Sequence, residues 1–271
     1  MGMGDALAAP AVEPTGIDVR SARTGRLLHH TPLGDFARRT YGSPYYHLHR
    51  ADLLEVLVGA LPPEVIRLRS AVDTVVEHDH GVRVVLAGGD ELDADVVVAA
   101  DGIHSRLQAE LHGPSTSRFS GMVCWRGLIP AERLAGVDLA RVCHVWYGPN
   151  ASVVAYWVRR GELFNVVGIV PGGPEATESW SARGDRDRLQ ADFARFEPTV
   201  RAFMAEIDDP FLWAIHDRDP LPFWTRGRLA LLGDAAHPML PYLAQGACQA
   251  IEDAAVLARC RSEEHTSELQ S

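Results

Sequence analysis

The sequence predicts an α/β fold in which a doubly wound domain is interrupted by a mostly antiparallel β-sheet domain, and three observations lead there. The run "DVVVAADG" (95–102) carries unbroken apolar residues from Val96 to Ala100, the pattern of a strand buried on both faces. "RLALLGDAAH" (228–237) is a second apolar strand, running into a Gly-Asp turn ahead of a small-residue helix that opens at Gly246. Between them, "MVCWRGLIP", "VCHVWYG", "SVVAYWVRR" and "LFNVVGIV" read as four strands separated by turn residues, an antiparallel sheet with one wet face. The boundaries that follow are 1–111 and 216–260 for the interrupted domain and 112–215 for the inserted one.

The remaining elements follow in chain order. Residues 17–31 alternate around Thr24-Gly25 as a short hairpin. "YYHLHRADLLEVLVGALP" then changes to helical spacing, with Leu53, Leu54, Leu57 and Leu61 apolar, and stops at Pro62-Pro63. Residues 64–78, 82–89 and 91–102 are strands rich in valine, the first two joined by the turn Asp79-His80-Gly81. A short helix covers Ser105–Leu111. After a Gly/Pro/Ser-rich loop over 171–184, a charged helix over 185–207 places Leu189, Phe193, Phe196 and Val200 on one side.

Composition narrows the partners. The 271 residues include 26 basic and 36 acidic side chains, a formal charge of −10, which leaves no basic footprint for nucleic acid or an anionic membrane surface. Cys124, Cys143, Cys248 and Cys260 include no CxxC pair, so they predict buried free thiols in a reducing compartment rather than a metal site or disulfides. No apolar run approaches the roughly 18 residues of a membrane span, and the N-terminus lacks a basic region followed by an apolar one; the expected location is the cytoplasm. The oligomeric state is not legible.

The chemistry concentrates in "LLGDAAHPMLPYLAQGACQAIEDA". Gly233 lets backbone approach a ligand, and the Asp234 carboxylate can accept hydrogen bonds from hydroxyls such as those of a ribitol or ribose. The helix from Gly246 offers unpaired N–H donors and a partial positive charge, suited to an anion or an electron-rich ring edge. Pro238 and Pro241 stiffen the loop between.

This stretch closely resembles the second FAD-binding motif of the FAD-dependent aromatic hydroxylases, single-component flavin monooxygenases that include the salicylate and 3-hydroxybenzoate hydroxylases. "DVVVAADGIHSRLQ" is similar to their Asp-Gly motif, "YYHLHRADLLEVL" to the segment whose arginine meets the FAD, and "CWRGLIP" to the entry of their substrate-domain sheet. The resemblance spans residues 17 to 260. It implies an FAD-binding domain interrupted by a substrate-binding sheet domain, and an enzyme in which NADH or NADPH reduces FAD, O2 adds to form a C4a-hydroperoxide, and a small phenolic acid is hydroxylated.

Carried over by position, Asp234 would bond the ribitol, with Gly233 permitting the approach. Gly246 and Ala247, behind Pro241, would face the pyrimidine edge of the flavin. Arg50 would contact the FAD, Val72 would offer a backbone contact near the adenine, and Asp101 and Gly102 would lie by the pyrophosphate. Gln245, His237 and Tyr156 are the expected catalytic or substrate-facing groups. His144 and Asn165 are weaker candidates, and Trp125 and Trp157 read as core. Where the family commonly has an arginine seven residues after the aspartate, this chain has Gln108; Arg106 is the available substitute.

Two departures stand out. The family's opening strand–GxGxxG–helix unit has no counterpart, so the expected fold lacks its first βαβ unit, and a chain without it is expected to be an inactive fragment. "RSEEHTSELQS" (261–271) is polar without an apolar face and reads as a non-native tail. The competing readings are a flavoprotein of the same fold with other chemistry, such as epoxidation, halogenation or dehydrogenation, and a non-enzymatic chain that binds no flavin.

Overall fold

The computed structural model describes residues 2–113, 117–173 and 182–261. Much of the expected 171–184 loop and nearly all of the 261–271 tail lie outside the described residues. Along the chain run α1 (Gly4–Ala8), β1 (Gly16–Ser21), β2 (Leu27–Pro32), α2 (Asp35–Tyr41), α3 (Arg50–Gly59), β3 (Val72–His78), β4 (Gly81–Leu86), β5 (Glu91–Ala94), β6 (Val97–Ala99) and α4 (Arg106–His112). Then come β7 (Arg118–Pro130), β8 (Cys143–Gly148), β9 (Ala151–Val158), β10 (Leu163–Pro171), α5 (Arg186–Asp192), α6 (Pro198–Ala205), β11 (Phe211–Asp217), β12 (Thr225–Arg226), β13 (Leu229–Leu231) and α7 (Gly246–Arg261).

Two compact units form, Met1–Ile66 with Ser120–Ile215 and Arg67–Phe119 with His216–Ser271. The first is built on a seven-stranded sheet of order β11-β7-β10-β9-β8-β1-β2. The four expected strands are β7 to β10, and β7–β10, β10–β9 and β9–β8 all pair antiparallel. The hairpin β1–β2 also forms, but β1 continues this sheet by pairing parallel to β8. Residues 1–66 thus pack with 120–215, whereas the sequence placed them with 67–111. The reason is that alternation reports a strand's period and not its partner.

Opposed residues of paired strands share a face, so the register settles which way each side chain points. Trp157, Phe164, Ala155 and His144 lie on one face, with Trp125 and Trp146. Helices α5 and α6 and the turn after them seal that side. Phe203 sits 5.5 Å from the rings of both Trp146 and Phe164, and a methyl group at Gly168 would lie 2.4 Å from Phe193. Tyr156, Asn165 and Leu128 occupy the opposite face.

The expected single helix over 185–207 is two. Pro198 cannot continue a helix, and it starts α6 at its first position, with Glu197 capping through a bond from Thr199 N. The strand expected over 91–102 also divides. β5 pairs antiparallel with β4, β6 pairs parallel with β13, and Val96 between them is 39% exposed rather than buried.

The second unit holds the antiparallel sheet β3-β4-β5 and the sheet β12-β13-β6. Its core gathers Ala99, Leu107, Leu111, Leu229, Leu231 and Ala236, so α4 and both parallel strands bury one another's apolar side chains. Two of the four cysteines depart from expectation: Cys124 and Cys143 are buried, but Cys248 and Cys260 are exposed on α7. No helix among the described residues is long and apolar enough to cross a membrane.

Candidate functional site

In the second unit, β6 and β13 run parallel in register, Ala99 opposite Leu231, and Leu232 N donates to Ala99 O at 2.9 Å. The chain therefore leaves both strands at the same sheet end, into Asp101-Gly102 and Gly233-Asp234. The carboxyl ends of parallel strands are where α/β sheets bind ligands.

Gly233 adopts φ +59, and a Cβ there would meet Ala250 Cβ at 3.0 Å, so the turn needs glycine on both counts. Its N–H donates to Asp253 Oδ2 at 3.0 Å, and His237 Nε2 meets the same oxygen at 2.6 Å. Asp253, on α7, thereby ties the turn to the helix, while the Trp224 ring packs 4.9 Å from His237. Asp234 is the other carboxylate of this turn. It is exposed, and no hydrogen bond engages it among the described residues. One oxygen lies 3.8 Å from where a Cβ of Gly246 would stand, so the acid sits beside the bare first turn of the 16-residue α7, followed by Ala247. Pro241 begins a short 3-10 turn that ends with Ala244 in the left-handed region, and Gln245 and Ala247 are exposed.

Around the other strand end, Gly102 has φ +81 with open space about its Cα, and Asp101 Oδ2 accepts from Arg106 N at 3.0 Å at the start of α4. The Arg106 guanidinium is held by Asp73 at 2.6 Å. Gln108 is buried, its N–H capped by Ser105 Oγ at 2.9 Å. Val72 opens β3 opposite Leu86.

The remaining sequence candidates lie in the first unit. Arg50 is exposed at the first residue of α3, which His49 caps. Tyr156 and Asn165 are directly opposite on the sheet face away from α5 and α6. The Tyr156 ring packs 4.4 Å from His47, and burial raises its hydroxyl pKa. His144, by contrast, faces the helices, stacked 5.3 Å from Trp146 with Nε2 on Ala140 O at 3.0 Å; burial lowers its pKa. Trp125 and Trp157 share that covered side, bonding Asp192 and Leu139 O. Sequence reasoning missed Asp253, although its place seven residues after Gly246, two helical turns on, set it on the same side of α7.

The donor and acceptor set suits a flavin. An outward carboxylate matches ribitol hydroxyls, and free helix N–H groups beside it match the electron-rich edge of the isoalloxazine. A family model described as an FAD binding domain matches residues 3–263, and the chain belongs to that family, whose relatives are flavin-dependent aromatic monooxygenases. Similar curated proteins include 6-hydroxynicotinate 3-monooxygenase of Pseudomonas fluorescens, 35% identical over 97% of this chain and 69% of the relative. The 3-amino-4-hydroxybenzoate 2-monooxygenase PtnB3 of Streptomyces platensis is 40% identical over 95% of this chain and 65% of its own length. Among solved structures, Klebsiella pneumoniae HpxO complexed with FAD and uric acid superposes with a TM-score of 0.84 at 29% identity, over 99% of this chain and 69% of that one. The chain thus spans about two thirds of the length of the relatives it matches.

Proposed function

We propose that the protein carrying this chain hydroxylates a small phenolic or related aromatic acid, using FAD, NADH or NADPH, and O2. Asp234, exposed beside the first turn of α7 at the carboxyl end of a parallel strand pair and with no hydrogen bond among the described residues, carries the reading. Bound FAD would supply electron transfer from the nicotinamide coenzyme and the activation of oxygen. Asp234 accepts hydrogen bonds from ribitol hydroxyls, and Gly233 keeps that approach open. The N–H groups at Gly246 and Ala247 stabilise negative charge on the pyrimidine edge, while Pro241 holds their loop rigid. Asp253 and His237 position the turn that bears Asp234. Asp101, Gly102, Arg50 and the Val72 backbone are the further proposed cofactor contacts. Gln245 and Tyr156 orient the aromatic ring and limit water entry, with Asn165 beside Tyr156 as a further polar group.

The test is reconstitution of that protein with FAD, followed by NADH and NADPH oxidation with hydroxybenzoates and 6-hydroxynicotinate. Bound flavin and ring-stimulated oxidation are expected. Asp234→Ala is expected to weaken FAD by about 1.5–3 kcal/mol, the worth of hydrogen bonds to a charged group. A protein that leaves flavin free, or an Asp234→Ala variant that holds it as tightly as the parent, overturns the assignment.

A further inference from the structure

We propose that the cleft beside Arg126 in the first unit is an anion-recognition site that takes the carboxylate of a small aromatic acid, with Arg126 as its specificity-determining residue. The inference deepens the aromatic-acid reading above and rests on it for the nature of the ring.

Arg126 lies on β7 opposite Val167, two residues before Leu128, which opposes Asn165. It therefore shares the sheet face of Asn165 and Tyr156, away from the face that α5 and α6 seal. The cleft beside Arg126, lined also by Gly127 and by Asp208 and Asp209 of the turn after α6, has a volume of about 580 Å³, within the roughly 300–1,000 Å³ usual for small-molecule sites. Its apolar lining comes from Leu128, Pro130 and Phe211, and Leu128 is 43% exposed.

Charge decides what the cleft takes. Its walls carry Arg126, Arg133 and Arg183 against Asp208 and Asp209, which is 3 − 2 = +1. Arg133 pairs with Asp208, and Arg183 with Asp209 at 3.0 Å. Arg126 is the remainder: among the described residues no carboxylate pairs with it, and its guanidinium lies 5.9 Å over the Trp213 ring. On a chain of net charge −10, such an uncompensated cation is where an organic acid can approach without net repulsion. A guanidinium laid on an indole keeps its planar fork oriented for a bidentate carboxylate. Its charge also reaches the neighbouring tyrosine: burial raises the Tyr156 pKa, and Arg126 works against that rise.

The experiment titrates the chain without flavin, following tryptophan fluorescence and heat, with 4-hydroxybenzoate and with 4-hydroxybenzamide, which has the same ring and no charge. The acid is expected to bind at least about tenfold more tightly than the amide, with an advantage that shrinks in salt. Arg126→Gln is expected to bring the acid down to the amide's affinity, and Arg126→Lys to keep part of the difference. Leu128→Trp, at an exposed position, fills the cleft and is expected to weaken both ligands while leaving the thermal unfolding midpoint in place. Equal binding of acid and amide, a preference that survives Arg126→Gln, or no binding of the acid by about 10 mM overturns the proposal. Because no flavin is present, those outcomes are distinct from failure of the FAD assignment, which is read from flavin retention.

Discussion

Two carboxylates near one turn, Asp234 and Asp253, show how the same side chain takes opposite duties. Asp253 spends its oxygen on Gly233 N–H and His237, whereas Asp234 is left facing outward. Asp234, Gly233 and Gly246 were legible from the motif because their chemistry is local to the turn and the helix start. His47 was not, since nothing in "YYHLHR" marks it for burial. It bridges to Val12 through paired backbone hydrogen bonds, is only 6% exposed, and among the described residues neither ring nitrogen finds a hydrogen-bond partner. Burial, reinforced by the charge of His144, pushes its pKa from 6.5 down to about 4. The unfolded chain therefore takes up this proton first as pH falls, so the stability it contributes is present above about 6.5 and lost on the way down to about 4. His144, also shifted down, adds in the same direction. Urea unfolding at about pH 7.5 and pH 5 is expected to reveal a loss of about 2 kcal/mol from His47, and His47→Phe to flatten that dependence. An identical pH dependence in the variant would remove His47 as the source.

At the scale of elements, glycines in the seven-stranded sheet fix how closely the helices dock. A Cβ at Gly168 would fall 2.4 Å from Phe193 Cζ, and one at Gly127 would fall 2.7 Å from Ile207. Gly168→Ala is expected to destabilise the fold by about 1–3 kcal/mol through overpacking. Gly88→Ala, with nothing within 4 Å, is the control and is expected to leave the denaturant midpoint nearly unchanged. Equal midpoints for both variants would mean that the helix side is not close-packed. The four central strands were legible because each alternates over its own length. Strand β11 escaped because "FLWAIH", just past the expected helix end at 207, is an apolar run too short to show a period and was assigned to no element. The break before α6 was readable in principle, as Glu197-Pro198 is a cap followed by a first-position proline.

For the molecule as a whole, cysteine accessibility is a compact check. Cys124 and Cys143 are buried, and burial pushes both thiols up to about 12, whereas Cys248 and Cys260 are exposed on α7. A thiol reagent at about pH 8 is expected to label two cysteines rapidly in the native protein and four after denaturation, since the thiolate is the reactive form. Rapid labelling of all four without denaturant would contradict the packing of β7 and β8.

The sequence by itself determined the α/β class, the β7–β10 sheet, the parallel strand ends carrying Asp101 and Asp234, and the family, because each is written in short-range periodicity or in one contiguous motif. Only the tertiary structure decided that β1 joins the large sheet beside β8, that Tyr156 and Asn165 face away from the helices while His144 faces them, and that among the described residues no carboxylate pairs with Arg126. The physical reason is common to all three. Strand pairing, facing and charge compensation depend on residues far apart in the chain, whose encounter is fixed by register and burial and leaves no mark on any single stretch of sequence.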